Sequence, residues 1–289
     1  MLTNALATAA TSLYDLIAVA HTDTTNLQLL QTHLTSQGAP LVGRGEQGIY
    51  CSTASLATST TQWNALNEGL IQSIWHQNGE DLNIVVAAAW GATRAIAESA
   101  NPAVNLSSFN MVVVDLYPVV HAPANQGLYT TDSQAAACLD AGGSPIQVTA
   151  DGHAYVARSI TTHSQDSSGN PDTRQLDTVN PTVSQMFIKD LSVQIPSQFQ
   201  GKNLIDDPVE SDDETPSTVT TPKRMQAFCS GIATTWARFG WLDATQTKLD
   251  LPAWYFSLAP SSPGRVNATM PIHPAQWLVQ FSGQVRALS

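Results

Sequence analysis

Along the first half of the chain, apolar residues recur at two alternating periods. Leu2, Leu6, Ala9 and Leu13 are spaced for one face of a helix, and residues 14–20 (YDLIAVA) follow as an apolar run of strand length. Thr24 or Thr25 is placed to cap a helix whose stripe is Leu27, Leu30 and Leu34 and which ends at Gly38. A short strand is expected at 48–54 (GIYCSTA), then a helix carrying Trp63, Leu66, Leu70 and Ile71 on one face. Leu82, Val85, Ala89, Thr93 and Ile96 mark another helix, stopped before Pro102. Residues 109–116 (FNMVVVDL) read as a central strand, apolar on both faces as parallel sheets require. Strands alternating with helices of this length predict a layered α/β domain, assigned to 1–144.

The remainder, 145–289, reads as a mixed α+β domain. A short helix at 131–141, with Thr131 or Asp132 as cap and Gly142 as stop, leads into it. Two alternating runs joined by Asp151-Gly152 carry the strongest hairpin signal in the chain. A polar loop spans 163–176, and a helix starting near Pro181 is expected to break at Pro196. Residues 206–216 hold six acids and no base, the mark of a solvated loop or disordered segment. Thr221-Pro222 is an N-cap followed by an N1 proline. The helix it opens carries Met225, Phe228, Cys229, Ile232, Trp236 and Phe239 on one face and stops at Gly240. The end of the chain is strand-rich: AWYFSL, a turn at SSPG, RVNATMPI and finally QWLVQFSGQVRAL.

Charge narrows the function classes. The 289 residues include 23 acids against 12 bases, a net of −11. Such a surface repels phosphate backbones and anionic headgroups, so neither nucleic-acid nor membrane binding is expected. Charged residues make up 12% of the chain, well under the roughly one quarter of an ordinary soluble domain. Cys51, Cys138 and Cys229 are far apart and odd in number, which argues for buried thiols rather than disulfides or zinc. The seven histidines form no HxxxH pair, and no cofactor or metal is expected. Gly43, Gly45 and Gly48 match GxGxxG, but a helix precedes them and a strand follows, the reverse of a dinucleotide site. His21 and Asp23 are better placed as a strand end and helix cap than as partners of a nucleophile such as Ser159 or Ser282, since no GxSxG elbow exists. The sequence shows no catalytic machinery.

A family resemblance gives that absence a meaning. The run at 155–207 combines a strand ending in Arg158, Ile160, Thr161 and Thr162 with a loop carrying Asp172, Arg174 and Asp177. A long helix, the segment Phe199 to Leu204, the Thr221-Pro222 helix and the run Arg265 to Pro271 follow in order. This combination resembles contractile tail sheath proteins, particularly those of Mu-type bacteriophages. The first half is similar to that family in layout more than in motif.

The resemblance implies a structural subunit of the sheath that surrounds a phage tail tube and drives it through the host envelope, with viral genome ejection as the outcome. Its partners would be other sheath subunits in helically stacked hexameric rings, the tail tube, the baseplate and a tail terminator. It would be assembled in the host cytoplasm and end in the virion tail. The sheath of a bacterial contractile injection system, of pyocin or secretion type, is the alternative, and an α/β enzyme is a more distant one. Family members also carry a further N-terminal region with an extended arm, so the chain reads as a natural truncation or an inner fragment. Two surfaces are expected to matter. Trp277, Val279, Phe281 and Val285 lie on one face of a terminal strand at 276–287 suited to pairing between subunits, although an internal sheet strand has the same periodicity. Lys223, Arg224 and Arg238 give helix 222–240 a charge of +3 with no acid, and related sheaths turn such a helix toward an acidic tube.

Overall fold

The computed structural model describes residues 2–12, 14–39, 42–77, 79, 81–109, 111, 132–148, 154–207, 216–260, 262 and 264–276. Most of the expected central strand at 109–116, the Asp151-Gly152 turn, most of the acidic loop 206–216 and the terminal strand lie outside them.

The first core is built on a five-stranded sheet. Its strands β1 (Leu16–Val19), β2 (Gln47–Ser52), β3 (Ile71–Trp75), β4 (Ser144–Val148) and β5 (Ala154–Val156) lie side by side in chain order. The first four are parallel, and β5 returns antiparallel on β4 as the two flanks of the expected hairpin. Because side chains alternate along a strand, β2 and β3 send residues to both sides. Tyr50, Ile71 and Trp75 meet Leu27, Leu30 and Leu34 of α2 (Thr24–Gln37) and Trp63 of α3 (Leu56–Leu66), with Leu2 and Leu6 of α1 (Leu2–Ala9) completing the layer. Ile49, Cys51 and Ile74 meet Val86, Ala87 and Trp90 of α4 (Asn83–Ala100) on the opposite side. This is the layered α/β arrangement that the alternating pattern predicts. The short helix α5 (Asp132–Asp140) packs beside β4 and stops at Gly142, where φ is 90°.

The expected boundary at 144/145 falls at the start of β4, so β4 and β5 share the first sheet. A second core is gathered from later elements: α6 (Val179–Phe199), α7 (Pro222–Arg238), α8 (Ala244–Asp250) and the antiparallel pair β8 (Tyr255–Leu258) and β9 (Val266–Thr269). A two-residue parallel pair, β6 (Asn203–Leu204) and β7 (Val219–Thr220), brackets the acidic segment. Phe187 of α6 is its centre, with Trp236 edge-on at 5.1 Å and Trp254 at 6.3 Å between ring centroids.

Several local expectations are corrected. Asp23 caps α2 as the helix-cap reading of His21-Thr22-Asp23 expects, its carboxylate accepting from the Asn26 amide, whereas Thr24 and Thr25 lie inside the first turn. The helix carrying Trp63 ends at Leu66, because Asn67 turns left-handed (φ 40°) and Ile71 opens β3 instead. On α4, Leu82, Val85 and Ile96 face solvent. Ala89 and Thr93 are buried as expected, and the buried side is completed by Val86, Trp90, Arg94 and Ala97, which face β1 and β2. Helix α6 begins at Val179 and is not broken at Pro196, which sits in its last turn. Phe239 at the end of α7 is 63% exposed rather than part of its buried face.

Candidate interaction surfaces and the signature loop

The residues of the central part of the resemblance, 158–177, are bonded to one another and to the turn before β3. Arg158, just after β5, donates through Nε and Nη2 to both oxygens of Asp177, each at 2.8 Å. Thr161 donates its amide to the Leu176 carbonyl at 2.7 Å and its hydroxyl to the Gln175 carbonyl at 2.7 Å. Thr162 donates its amide to Ile71 at the start of β3 and its hydroxyl to the Glu68 carbonyl. Asp172 accepts from the Arg174 guanidinium at 2.7 Å and lies 3.1 Å from His163 Nε2. Hydrogen bonds from Arg174 hold the Asp172 carboxyl far below the usual carboxylate range. Asn67 adds a clamp, accepting the Ser164 and Gln165 amides through Oδ1. The signature therefore pins loop 163–177 between the amino-terminal end of β3 and the start of α6. Its buried ends are architectural, while the Arg174 side chain stays 81% exposed.

Helix α7 is positioned by the chemistry expected of it. The Thr221 hydroxyl accepts from the Arg224 amide, Pro222 occupies the first turn, and Cys229, Ile232, Ala233 and Trp236 are buried. Its outer side carries Lys223, Arg224, Ala227, Gly231, Thr234, Thr235 and Arg238, all exposed. At about 100° per residue, the three bases fall within roughly one third of the helix circumference. They are not equivalent. The Arg224 guanidinium turns back to the carbonyls of Pro216 and Val219, at 3.2 and 3.1 Å, whereas Lys223 and Arg238 stand at opposite ends of a surface of small side chains. Trp277, Val279, Phe281 and Val285 lie outside the described residues. The chain leads to them from β9 through Pro274, whose segment bridges to Leu242 after α7.

The enzyme-like features have packing explanations. Gly43 takes a left-handed φ of 64°, Gly45 sits against the Gln185 side chain of α6, and Gly48 lies inside β2 against Leu30. Any Cβ at Gly45 or Gly48 would overlap those neighbours, so the glycines serve close approach between elements. His21 Nδ1 lies 3.9 Å from Asp23, whose carboxylate is occupied as the α2 cap. Ser159 is fully buried and bonded to Gln72 and Thr178, and Ser282 lies outside the described residues. All three cysteines are buried, with burial pushing Cys229 up to about 11 and the other two thiols higher. A polar cleft lined by Thr22, Asp23, Ser52, Thr58, Gln62 and Asn83 opens at the carboxyl ends of β1 and β2. Among the described residues, no helix is long and apolar enough to cross a membrane.

No sequence motif singles out the buried polar cluster around Arg94. Arg94 on α4 is fully buried and donates to Glu98, Gln72, Gln47 and Thr182 at 2.8–3.1 Å. The available signal was a glutamine inside each of two buried strands, QGIYCS and IQSIW, since a strand interior must satisfy such groups.

No family model and no curated protein matches the chain. Solved structures do. The sheath tail protein of Desulfitobacterium hafniense is 17% identical with a TM-score of 0.62, over 95% of this chain and 56% of that one. The sheath tail protein Lin1278 of Listeria innocua is 12% identical with a TM-score of 0.60, over 96% of this chain and 57% of that one. The PVC sheath complex of an extracellular contractile injection system, in its contracted state, is 11% identical with a TM-score of 0.63, over 98% and 74%. The chain thus spans little more than half the length of the first two. Across nearly all of its own length, it has the fold of sheath tail proteins.

Proposed function

We propose that the chain is a structural subunit of a contractile tail sheath. The observation that carries this is the fold match, which extends over both cores and 95–98% of the chain. The signature loop supports it, because the motif that suggested the family folds into one bonded unit joining the two cores. In this role, subunits stack as hexameric rings around a tail tube, bounded by a baseplate and a terminator. The Mu-type motifs at 155–207 favour a phage tail, in which contraction drives the tube through the host envelope for genome ejection. A bacterial injection system is a second reading, and the similarity to the PVC sheath of an extracellular contractile injection system, at a TM-score of 0.63, favours it.

Two contact surfaces belong to this reading. The terminal strand with Trp277, Val279, Phe281 and Val285 pairs with a neighbouring subunit, and the outer side of α7, with Lys223, Arg224 and Arg238, faces the tube. Lys223 and Arg238 are its principal charges, since Arg224 is partly engaged with its own chain. Exposed charge contacts are individually weak and screened by salt, which suits a surface that must release during contraction. The test is co-expression with the tube gene of the same cluster, followed by negative-stain microscopy. Striated hollow cylinders around tubes are expected. The double reversal Lys223→Glu, Arg238→Glu should leave the subunit folded but separate sheath from tube. Particles that never assemble with any tube protein would overturn the sheath reading, whereas unaltered cylinders from the reversal would overturn only the assignment of α7.

A further inference from the structure

Helix α6 is part of the second core and also touches the first sheet, and its two sides are chemically different. Val179, Val183, Phe187 and Leu191 repeat every four residues and are buried in the second core with Trp236 and Trp254. The polar residues Thr182, Gln185 and Lys189 repeat on the other side and meet the first sheet. There, Thr182 Oγ1 accepts from Arg94 Nη2 at 3.1 Å and from Gln47 Nε2 at 2.9 Å. Gln185 donates to the Glu46 carbonyl at 3.0 Å and accepts from Gln47 at 3.3 Å. Lys189 bonds Asp15 and the Tyr14 carbonyl beside β1.

Behind this seam, Arg94 is held from the side of the sheet. Its Nε bonds Glu98 within α4, and Nη1 bonds Gln72 of β3 at 3.0 Å. Gln72 in turn donates to Ser144 at the start of β4 and to Ser159 in the signature segment, and Ser159 accepts from Thr178 at the start of α6. One guanidinium thus connects α4, β2, β3 and α6 within two hydrogen bonds. An apolar seam would permit sliding between packed faces, but directional bonds in a buried site permit one register only.

We infer that Arg94 and Thr182 form a latch that couples the two cores into a single cooperative unit with a fixed mutual orientation. The latch rests on the geometry of the subunit and does not depend on the sheath reading. Removing the α6 side of the seam leaves the apolar packing of both cores in place, so uncoupling is separable from unfolding. The test is hydrogen–deuterium exchange of the full chain in mild denaturant, read by segment. In the wild type, 179–199 and 222–238 should exchange through the same opening as β2 and β3. In Thr182→Val/Gln185→Met, protection of 179–199 and 222–238 should fall by about tenfold relative to β2 and β3, as loss of buried hydrogen bonds localised to one seam requires. Thr182→Val alone should show the same split, to a smaller extent, and decides the matter if the double variant does not fold. Protection that falls in step across both cores, or does not change, overturns the latch.

Discussion

Single side chains here act mainly by closing bonds that nothing else can make. Arg158 is 27% exposed and its partner Asp177 only 10%, so removing the cation leaves a nearly buried carboxylate alone. Arg158→Ala should therefore cost about 2–4 kcal/mol in a denaturant melt, and Arg158→Lys should recover only part of it, because an ammonium cannot form the paired bonds. Gly143 shows the opposite constraint. An added Cβ would overlap the Trp63 ring and the Cys138 sulfur, so Gly143→Ala should cost about 1–3 kcal/mol through overpacking. His76 is a third case: it is 2% exposed, neither ring nitrogen has a hydrogen-bond partner among the described residues, and burial holds its pKa below the ordinary value of 6.5. Below that value the unfolded chain takes a proton that the folded one resists, so stability is lost as pH falls from about 7 toward 5, by at most about 1.4 kcal/mol per pH unit. His76→Phe should remove this part of the slope. Equal slopes for the two proteins would show that His76 titrates normally.

Among the elements, those with their own local chemistry were legible and those fixed by distant contacts were not. Thr221-Pro222 opens α7 and the strands on either side of Asp151-Gly152 pair as β4 and β5, because caps and hairpin signals depend on a few neighbouring residues. The end of α3 escaped the pattern, since Leu70 and Ile71 continue the helical spacing while the chain has already turned at Asn67. What stops the helix is tertiary: Asn67 accepts the amides of Ser164 and Gln165 and donates to the Gln165 carbonyl, nearly a hundred residues away in sequence. The same applies to the inward side of α4, where Arg94 is buried because glutamines from two strands await it. Helix α8 is only Ala244–Asp250 and buries little beyond Thr247, so no apolar stripe announced it. Asn67 offers a clean dissection of backbone from side chain. Asn67→Gly and Asn67→Ala both lose the three bonds, but only the alanine also resists a left-handed backbone. Thermal melts should rank wild type above glycine and glycine above alanine, with the last gap about 1 kcal/mol. Equal melts for the two variants would mean that the turn relaxes.

At the scale of the whole molecule, charge and architecture set opposite tendencies. Two cores joined through α6 form a body with a polar junction, while the net charge of −11 makes copies of that body repel one another. Assembly therefore needs either directional strand pairing or a surface of opposite sign, and α7 itself carries three bases and no acid, although Asp207 accepts the Lys223 amide at its start. The repulsion is long-ranged only in dilute salt, because at 0.1 M the screening length is about 10 Å. Screened or not, it has to be overcome by contacts between copies. Purified by itself at micromolar concentration, the chain should consequently run as a 30.8 kDa monomer or a weak, concentration-dependent oligomer in light scattering. Raising salt should shift any weak association upward by relieving repulsion, whereas the proposed contact of α7 with an acidic tube should weaken. Stable tubes formed by the chain alone at low salt would contradict this balance, because they would require self-complementary contacts strong enough to offset the charge without any partner.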